Sequence, residues 1–344
     1  MTYFVTRYDF RAPGYAADAR GRLFALALDQ AAYVDRHGHA ALTLSEHHGS
    51  DDGYLPSPLL AASAFAARTT RIPISVAALV VNLYEPLRLA EDIAVLDHLS
   101  GGRVTYTVGL GYRPQEYALF GRPWKSRARD LEVAMTRIFD AWGSGTVTPA
   151  PLTAPHPVMF YGGGVPASAV RAARLGLHFQ PEVADRALKR LYVDECRARG
   201  REPGLVMLPP PGPATVFCAD DPDAFWAKYG HHLLADALAY RAWIGDRDSH
   251  VKDGSTTVDE LRSAGVYQVH TPDELIALCR SGEITVVTSH PLCGGMPEEP
   301  SWESLRLISE TVLPSCREGS APRTGADPSR HCQPFAAEMP ARRP

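Results

Sequence analysis

The chain has 344 residues, 45% hydrophobic and 22% charged, with a net charge of −4. That balance leaves no basic footprint for nucleic acid, and no apolar run approaches the roughly 18 residues of a membrane span, so neither is expected as a partner. Residues 1–11 lack the apolar core of a signal peptide and the six cysteines form no C-x-x-C pair, which leads us to expect a cytoplasmic enzyme with reduced thiols.

Short β-rich runs alternate with longer helical ones. Tyr3 to Tyr8 reads as a strand, Gly21 to His37 as a helix and Ala40 to Ser45 as a second strand. Leu59 to Arg68, entered through Pro56 and Pro58, is a helix. Ile72 to Val81 is a strand with almost no polar atoms, as burial on both faces requires. Pro86 to Leu99 is a helix stopped by Ser100-Gly101-Gly102, and Arg103 to Gly109 is a fourth strand. Helices then cover Arg127 to Trp142, Pro166 to Leu175, Asp185 to Arg199, Asp223 to Ile244 and Trp302 to Leu313. Between them lie β-like runs at Val158 to Tyr161, Leu177 to Gln180, Leu205 to Leu208, Ala214 to Cys218 and Ile284 to Ser289. Eight strand-then-helix units predict a closed (β/α)8 TIM barrel over residues 1–316. Residues 246–282 read as an insertion before the last strand, and residues 317–344 as a disordered tail with little to bury. A doubly wound sheet would place a G-x-G-x-x-G turn after the first strand, and none follows Tyr8.

In a barrel the working residues collect at the C-terminal strand ends. The second strand ends in Glu46-His47-His48, with Asp51 and Tyr54 beyond it. Side chains alternate along a strand, so His47 and His48 face opposite ways. One could be a structural histidine and the other a proton donor or a contact to a bound ring. Neighbouring imidazoles on one strand cannot converge on one ion, so no metal site is expected. Ala77-Ala78 is either close packing or a shelf for a planar ligand, with Asn82 supplying a polar tip. Gly109-Leu110-Gly111-Tyr112-Arg113 ends the fourth strand, and Tyr161 precedes Gly162-Gly163-Gly164-Val165 with Ser168 in the next helix. Glycines before a helix N-terminus suit a phosphate, although such runs also serve as plain turns. His290 follows the last strand.

Together, Ser45–His48, Ile74–Val80, Glu85–Arg103, Gly109–Gly121 and Gly162–Ser168 resemble the bacterial luciferase-like flavin-dependent monooxygenases. The resemblance is specific over residues 40–121 and thins after Gly176. It implies a barrel that binds reduced FMN, or in some relatives the deazaflavin F420, at the strand ends. It places His47 near the reacting edge of the ring and Ala77-Ala78 on a bulge behind it, often a non-prolyl cis peptide. Gly163, Gly164, Val165 and Ser168 fall on a phosphate turn, with Gly109, Leu110, Gly111, Tyr112 and Tyr161 as further cofactor contacts. Gly109 stands where luciferases carry a reactive cysteine, and Leu110 where they carry a phosphate-binding arginine; Arg113 could substitute for the latter.

The reading is a flavin-dependent monooxygenase that uses reduced FMN and O2 to oxidise a small organic substrate. A separate reductase supplies the flavin, since no nicotinamide fingerprint is visible, and the resemblance implies a homodimer. His47 is the catalytic candidate. Glu46, Asp51, Tyr54, Asn82, Arg113 and His290 are substrate candidates. F420-dependent hydride transfer and a non-catalytic flavin-binding barrel are the alternatives.

Overall fold

Proline sets many of the helix starts. α2 (Pro58–Arg68), α3 (Pro86–Ser100), α4 (Pro114–Leu119), α6 (Pro166–Leu175), α8 (Pro222–Ile244) and α10 (Pro272–Ser281) each open on one. There its fixed φ fits and its missing N–H costs nothing. The remaining helices are α1 (Ala17–His37), α5 (Arg127–Gly143), α7 (Arg186–Ala198), α9 (Val258–Ala264), α11 (Glu298–Arg306) and α12 (Leu313–Glu318). The strands are β1 (Tyr3–Tyr8), β2 (Ala41–Leu44), β3 (Ile74–Leu79), β4 (Val104–Val108), β5 (Met159–Gly162), β6 (His178–Gln180), β7 (Thr215–Cys218), β8 (Tyr267–His270) and β9 (Val286–Ser289). The structure, a computed structural model, describes residues 2–318. The first two residues of the expected tail, Arg317 and Glu318, complete α12; residues 319–344 lie outside the described ones. Among the described residues no helix is long and apolar enough to cross a membrane.

The closed eight-stranded barrel expected from the pattern does not form. Seven parallel strands make one curled, open sheet in the order β6-β5-β4-β3-β2-β1-β9, and β7 and β8 pair separately. The physical reason lies after β6. Leu205–Leu208 makes a single parallel bridge, Phe179 to Val206, and then runs into Pro209, Pro210, Pro211 and Pro213. Prolines have no N–H to continue a ladder, so the strand that would close the circle stops. The backbone N–H of Cys218 in β7 donates instead to Ser304 Oγ of α11 at 2.8 Å. The stretch read as an insertion, 246–282, holds α9, β8 and α10, a helix–strand–helix unit that gives β7 its partner.

The main core lies between sheet and helices. Leu42, Ile74 and Val104, in register across β2, β3 and β4, are buried in it. Their neighbours Thr43, Ser75 and Thr105 are paired with one another and only half-buried. Alternation puts them on the opposite, concave face, so that face carries small hydroxylic side chains and not the branched layers of a filled barrel.

α1 is tied to the loop before β3 by Asp35. Its carboxylate accepts from Thr70 N–H (2.7 Å) and Oγ1 (2.9 Å), Arg71 N–H (3.1 Å) and Ile72 N–H (2.7 Å). Burial raises its pKa, but these donors outweigh burial and hold it below the usual carboxylate range. Asp35→Ala should therefore destabilise the fold by about 3 kcal/mol, measured by urea denaturation. Because the folded-state pKa is depressed, the stabilisation is present above the unfolded-state value. It should be lost as the pH falls through the folded-state one, a loss the variant should not show.

Candidate active site

The end of β2 divides its two histidines between two carboxylates. His48 Nε2 lies 2.8 Å from Glu46 Oε1, which also accepts from Tyr84 OH (2.8 Å), while Glu46 Oε2 accepts from Val80 N–H (2.7 Å). Glu46 is thus buried with both oxygens engaged by protein, and it holds the chain just past Ala78. The Ala77-Ala78 peptide is cis, and the β3–β4 register skips Ala78, a bulge.

His47 takes the other side. Its Nδ1 lies 2.8 Å from Glu116 Oε1 and its Nε2 2.9 Å from Tyr112 OH. Glu116 Oε1 also accepts from His48 N–H (2.9 Å) and Arg113 Nη1 (3.0 Å). Burial raises the Glu116 pKa, but His47, the His48 N–H and Arg113 bring it below its ordinary value. Burial lowers the His47 pKa, Glu116 opposes it, and the net direction is down. A neutral imidazole facing an ionised carboxylate carries its proton on Nδ1. That leaves Nε2 to accept from the Tyr112 hydroxyl, whose own pKa burial raises.

Aromatic rings enclose this histidine. Tyr54, Tyr112 and Trp243 meet it edge-on, with centroids 4.8, 5.0 and 4.7 Å away. Trp243 comes from α8, where Asp236, Tyr240 and Trp243 recur at the i, i+4, i+7 spacing of one helix face. Its indole lies between the guanidiniums of Arg11 (4.4 Å) and Arg113 (4.1 Å). Arg11 is completely buried and donates from Nη1 to Asp236 Oδ1 at 2.9 Å. Its Nε is 2.8 Å from Asp52 Oδ2, an ion-pair contact outside hydrogen-bonding alignment. Tyr54 OH and Tyr240 OH are 2.7 Å apart, and Arg7 Nη2 donates to Tyr240 OH at 2.6 Å.

The structure brings together His47, Tyr54, Tyr112 and Arg113 from the candidates. Gly109 packs beside Ala78: a Cβ at position 109 would lie 3.0 Å from the Ala78 Cβ. Gly111 likewise backs onto Val80, and the Leu110 carbonyl accepts from Tyr117 OH at 2.5 Å. Asn82 turns to Tyr117 OH (3.0 Å) and the Arg127 carbonyl (2.7 Å). Asp51 is exposed.

His290 is fully buried in a second cluster, its Nε2 3.2 Å from Asp9 Oδ1 but outside hydrogen-bonding alignment. Burial raises the Asp9 pKa, but His290, Arg7 and Arg11 hold it well below the carboxylate range. Asp236, His290 and Cys293 place donor atoms within 4.8 Å of one another. Both Asp236 oxygens are already engaged, by Arg11 and by Tyr267 OH (2.7 Å), so the cluster is organised as an ion-pair network.

Three strands from His47, at β5, lies the glycine turn. Gly163 has φ +133°, and a Cβ there would meet Ser168 Oγ at 2.5 Å. Val165 caps α6 without a side-chain hydrogen bond, while its carbonyl accepts from Ser168 N–H at 2.8 Å. Glu182 is the side chain nearest Gly164, and burial raises its pKa. Tyr161 is buried near Arg171, its hydroxyl without hydrogen-bonding alignment. At about 4.8 Å per strand, the span from His47 to the turn is roughly 14 Å. A flat shelf at one end and a glycine cradle at the other fit an elongated ligand with a ring and a phosphate.

Sequence reasoning missed Glu116, Trp243, Tyr240 and the Arg7–Asp9–Arg11–Asp236 network. The available signals were the i, i+3 spacing of Arg113 and Glu116 around a helix-opening proline and the polar–aromatic stripe on α8.

Comparison with known proteins identifies the family. The sequence profile of the luciferase-like monooxygenase family matches residues 10–268. The uncharacterized protein y4wF of Sinorhizobium fredii is 41% identical over 104 residues, and that stretch spans 30% of each chain. Among solved structures, the monooxygenase RslO1 from Streptomyces bottropensis superposes with a TM-score of 0.72 at 25% identity, over 91% of this chain and 99% of that one. The oxygenating constituent of 3,6-diketocamphane monooxygenase from Pseudomonas putida, in complex with FMN, shares the fold with a TM-score of 0.65 at 18% identity, over 91% and 98%. By its matched profile and its fold, the chain belongs to the luciferase-like monooxygenase family.

Proposed function

We propose that this chain is a flavin-dependent monooxygenase that uses reduced FMN and O2 to oxidise a small organic substrate, the flavin being supplied by a separate reductase. The observation that carries this reading is the Glu116–His47–Tyr112 chain beside the Ala77-Ala78 shelf, in a family whose relatives include an FMN-bound monooxygenase. Ala77, Ala78 and Gly109 would back the ring, and Gly163, Gly164, Val165 and Ser168 would hold the phosphate. Leu110, Gly111, Tyr112 and Tyr161 are neighbouring contacts. Bound reduced FMN would supply the electrons for O2 activation. His47, oriented by Glu116, holds an acceptor nitrogen at Nε2 toward the Tyr112 hydroxyl, and the two would hold or move a proton beside the bound ring. Tyr54 and Trp243 exclude water around it, which strengthens each polar contact inside. Substrate would enter beside Tyr54 and Arg113. The exposed apolar side chains Leu60 of α2 and Leu87, Val95 and Leu99 of α3 support a homodimer through those helices.

Titrating the purified protein with FMN and with F420 tests the cofactor, and one 18O atom from 18O2 in the product tests the oxygenase chemistry. Binding of F420 without FMN would overturn both. His47→Ala is expected to lower turnover roughly 100-fold or more with a smaller change in FMN affinity; unchanged turnover refutes its role. Glu116→Gln removes the group that opposes burial, so the His47 pKa should fall further, read by 15N–1H correlation of the ring nitrogens. Glu182→Gln removes a negative charge beside the phosphate turn. It should tighten FMN binding several-fold and leave riboflavin binding unchanged; an equal effect on both ligands would move the phosphate elsewhere.

A further inference from the structure

Away from the candidate site, the fold brings two cysteines into one apolar cluster. Cys279 lies in the last turns of α10 and is buried; Cys316 lies in α12, is half-buried, and packs against the same apolar cluster as Cys279, with Phe4, Leu275 and Val312. Each thiol lies close enough to perturb the titration of the other. Their sequence neighbours fix the pairing of the helices: Arg280 Nη2 donates to the Ser315 carbonyl at 3.0 Å. Both sulfurs are free thiols.

We propose that Cys279 and Cys316 are a redox-responsive pair, converted by hydrogen peroxide to a disulfide that clamps α12 onto α10. The more accessible sulfur enters first. The Cys316 thiolate attacks the peroxide O–O bond, takes one oxygen as a sulfenic acid and releases the other as hydroxide, which is protonated to water. The Cys279 thiol then attacks the Cys316 sulfur, the S–S bond forms, and the sulfenic hydroxyl leaves as a second water. Two thiols and one peroxide give one disulfide and two waters, and the two electrons lost by sulfur are gained by peroxide oxygen. Burial raises both thiols, Cys279 to about 12. At Cys316 the Cys279 thiol and the Arg280 charge work against that rise, and its greater exposure assigns Cys316 as the attacking group.

The position gives the bond a consequence. The loop it closes contains all of β9, which pairs only with β1 at the edge of the open sheet. A staple there would secure the edge that a closed barrel would have protected by hydrogen bonds.

The test uses the full chain carrying Cys332→Ser, treated with hydrogen peroxide or left reduced. Expected results are a mass loss of about 2 Da, a tryptic cross-link between the peptides holding Cys279 and Cys316, and a Tm higher by roughly 5–10 °C. Slower amide exchange over residues 286–289 should accompany them. Cys316→Ser should abolish the cross-link and the Tm shift together. Two alkylatable thiols at 279 and 316 after prolonged peroxide treatment would overturn the proposal, as would a disulfide mapped to other cysteines. Peptide mapping of the unsubstituted chain decides the question even where a serine variant folds poorly.

Discussion

A guanidinium cannot shed its charge when it is buried, and Arg11 is the bulkiest side chain that this fold buries completely. It is neutralised by Asp236, equally buried, at 2.9 Å, and by the edge of Asp52. Removing one partner of such a pair costs about 3–5 kcal/mol, because the other is left charged in a dry interior. The pair therefore works as a positional lock. Arg11, three residues beyond β1, fixes α8, more than two hundred residues later, across the strand ends. Tyr54, Tyr240 and Trp243 then pack their rings around the guanidinium at 5.2, 4.5 and 4.4 Å. An open sheet has no closed ladder to hold its mouth in shape, and this network supplies the constraint.

With α8 fixed, the chemistry at His47 follows from its surroundings. Two carboxylates and two adjacent histidines are sorted by strand alternation into unlike pairs. Glu46 spends both oxygens on protein donors and holds the chain behind Ala78 in place. Glu116 gathers three donors on one oxygen and leaves the other buried without a partner, so its charge bears on His47, His48 and Arg113. Burial and the flanking arginines push His47 toward the neutral form. The same environment that keeps it neutral also fixes which nitrogen carries the proton.

How much of this could be read from the chain depends on separation. The strand-end cluster, the Ala77-Ala78 shelf and the glycine turn were legible because each is local: a few residues with a backbone requirement or a titratable group. The seven strands of the main sheet were legible for the same reason. Closure was not, because Leu205–Leu208 has strand chemistry, and only the three-dimensional path shows that the prolines after it end the ladder after one bridge. Tyr267–His270 was hidden inside a stretch that looked like an insertion, since its partner β7 stands outside the sheet. The polar–aromatic stripe on α8 marks Asp236 and Trp243 as a distinct face, but nothing local says that this face meets Arg11 and His47.

Gly109 shows how one missing side chain sets the shape of the candidate site. In this chain a Cβ at 109 would come within 3.0 Å of the Ala78 methyl, tighter than ordinary van der Waals contact. Ala78 is held from behind by Glu46 through Val80 N–H, so the shelf cannot simply retreat. Glycine at 109 and alanine at 78 are therefore one steric solution that lets the two strand ends lie close together. On the proposed reading, proton chemistry at that surface rests on the Glu116–His47–Tyr112 chain.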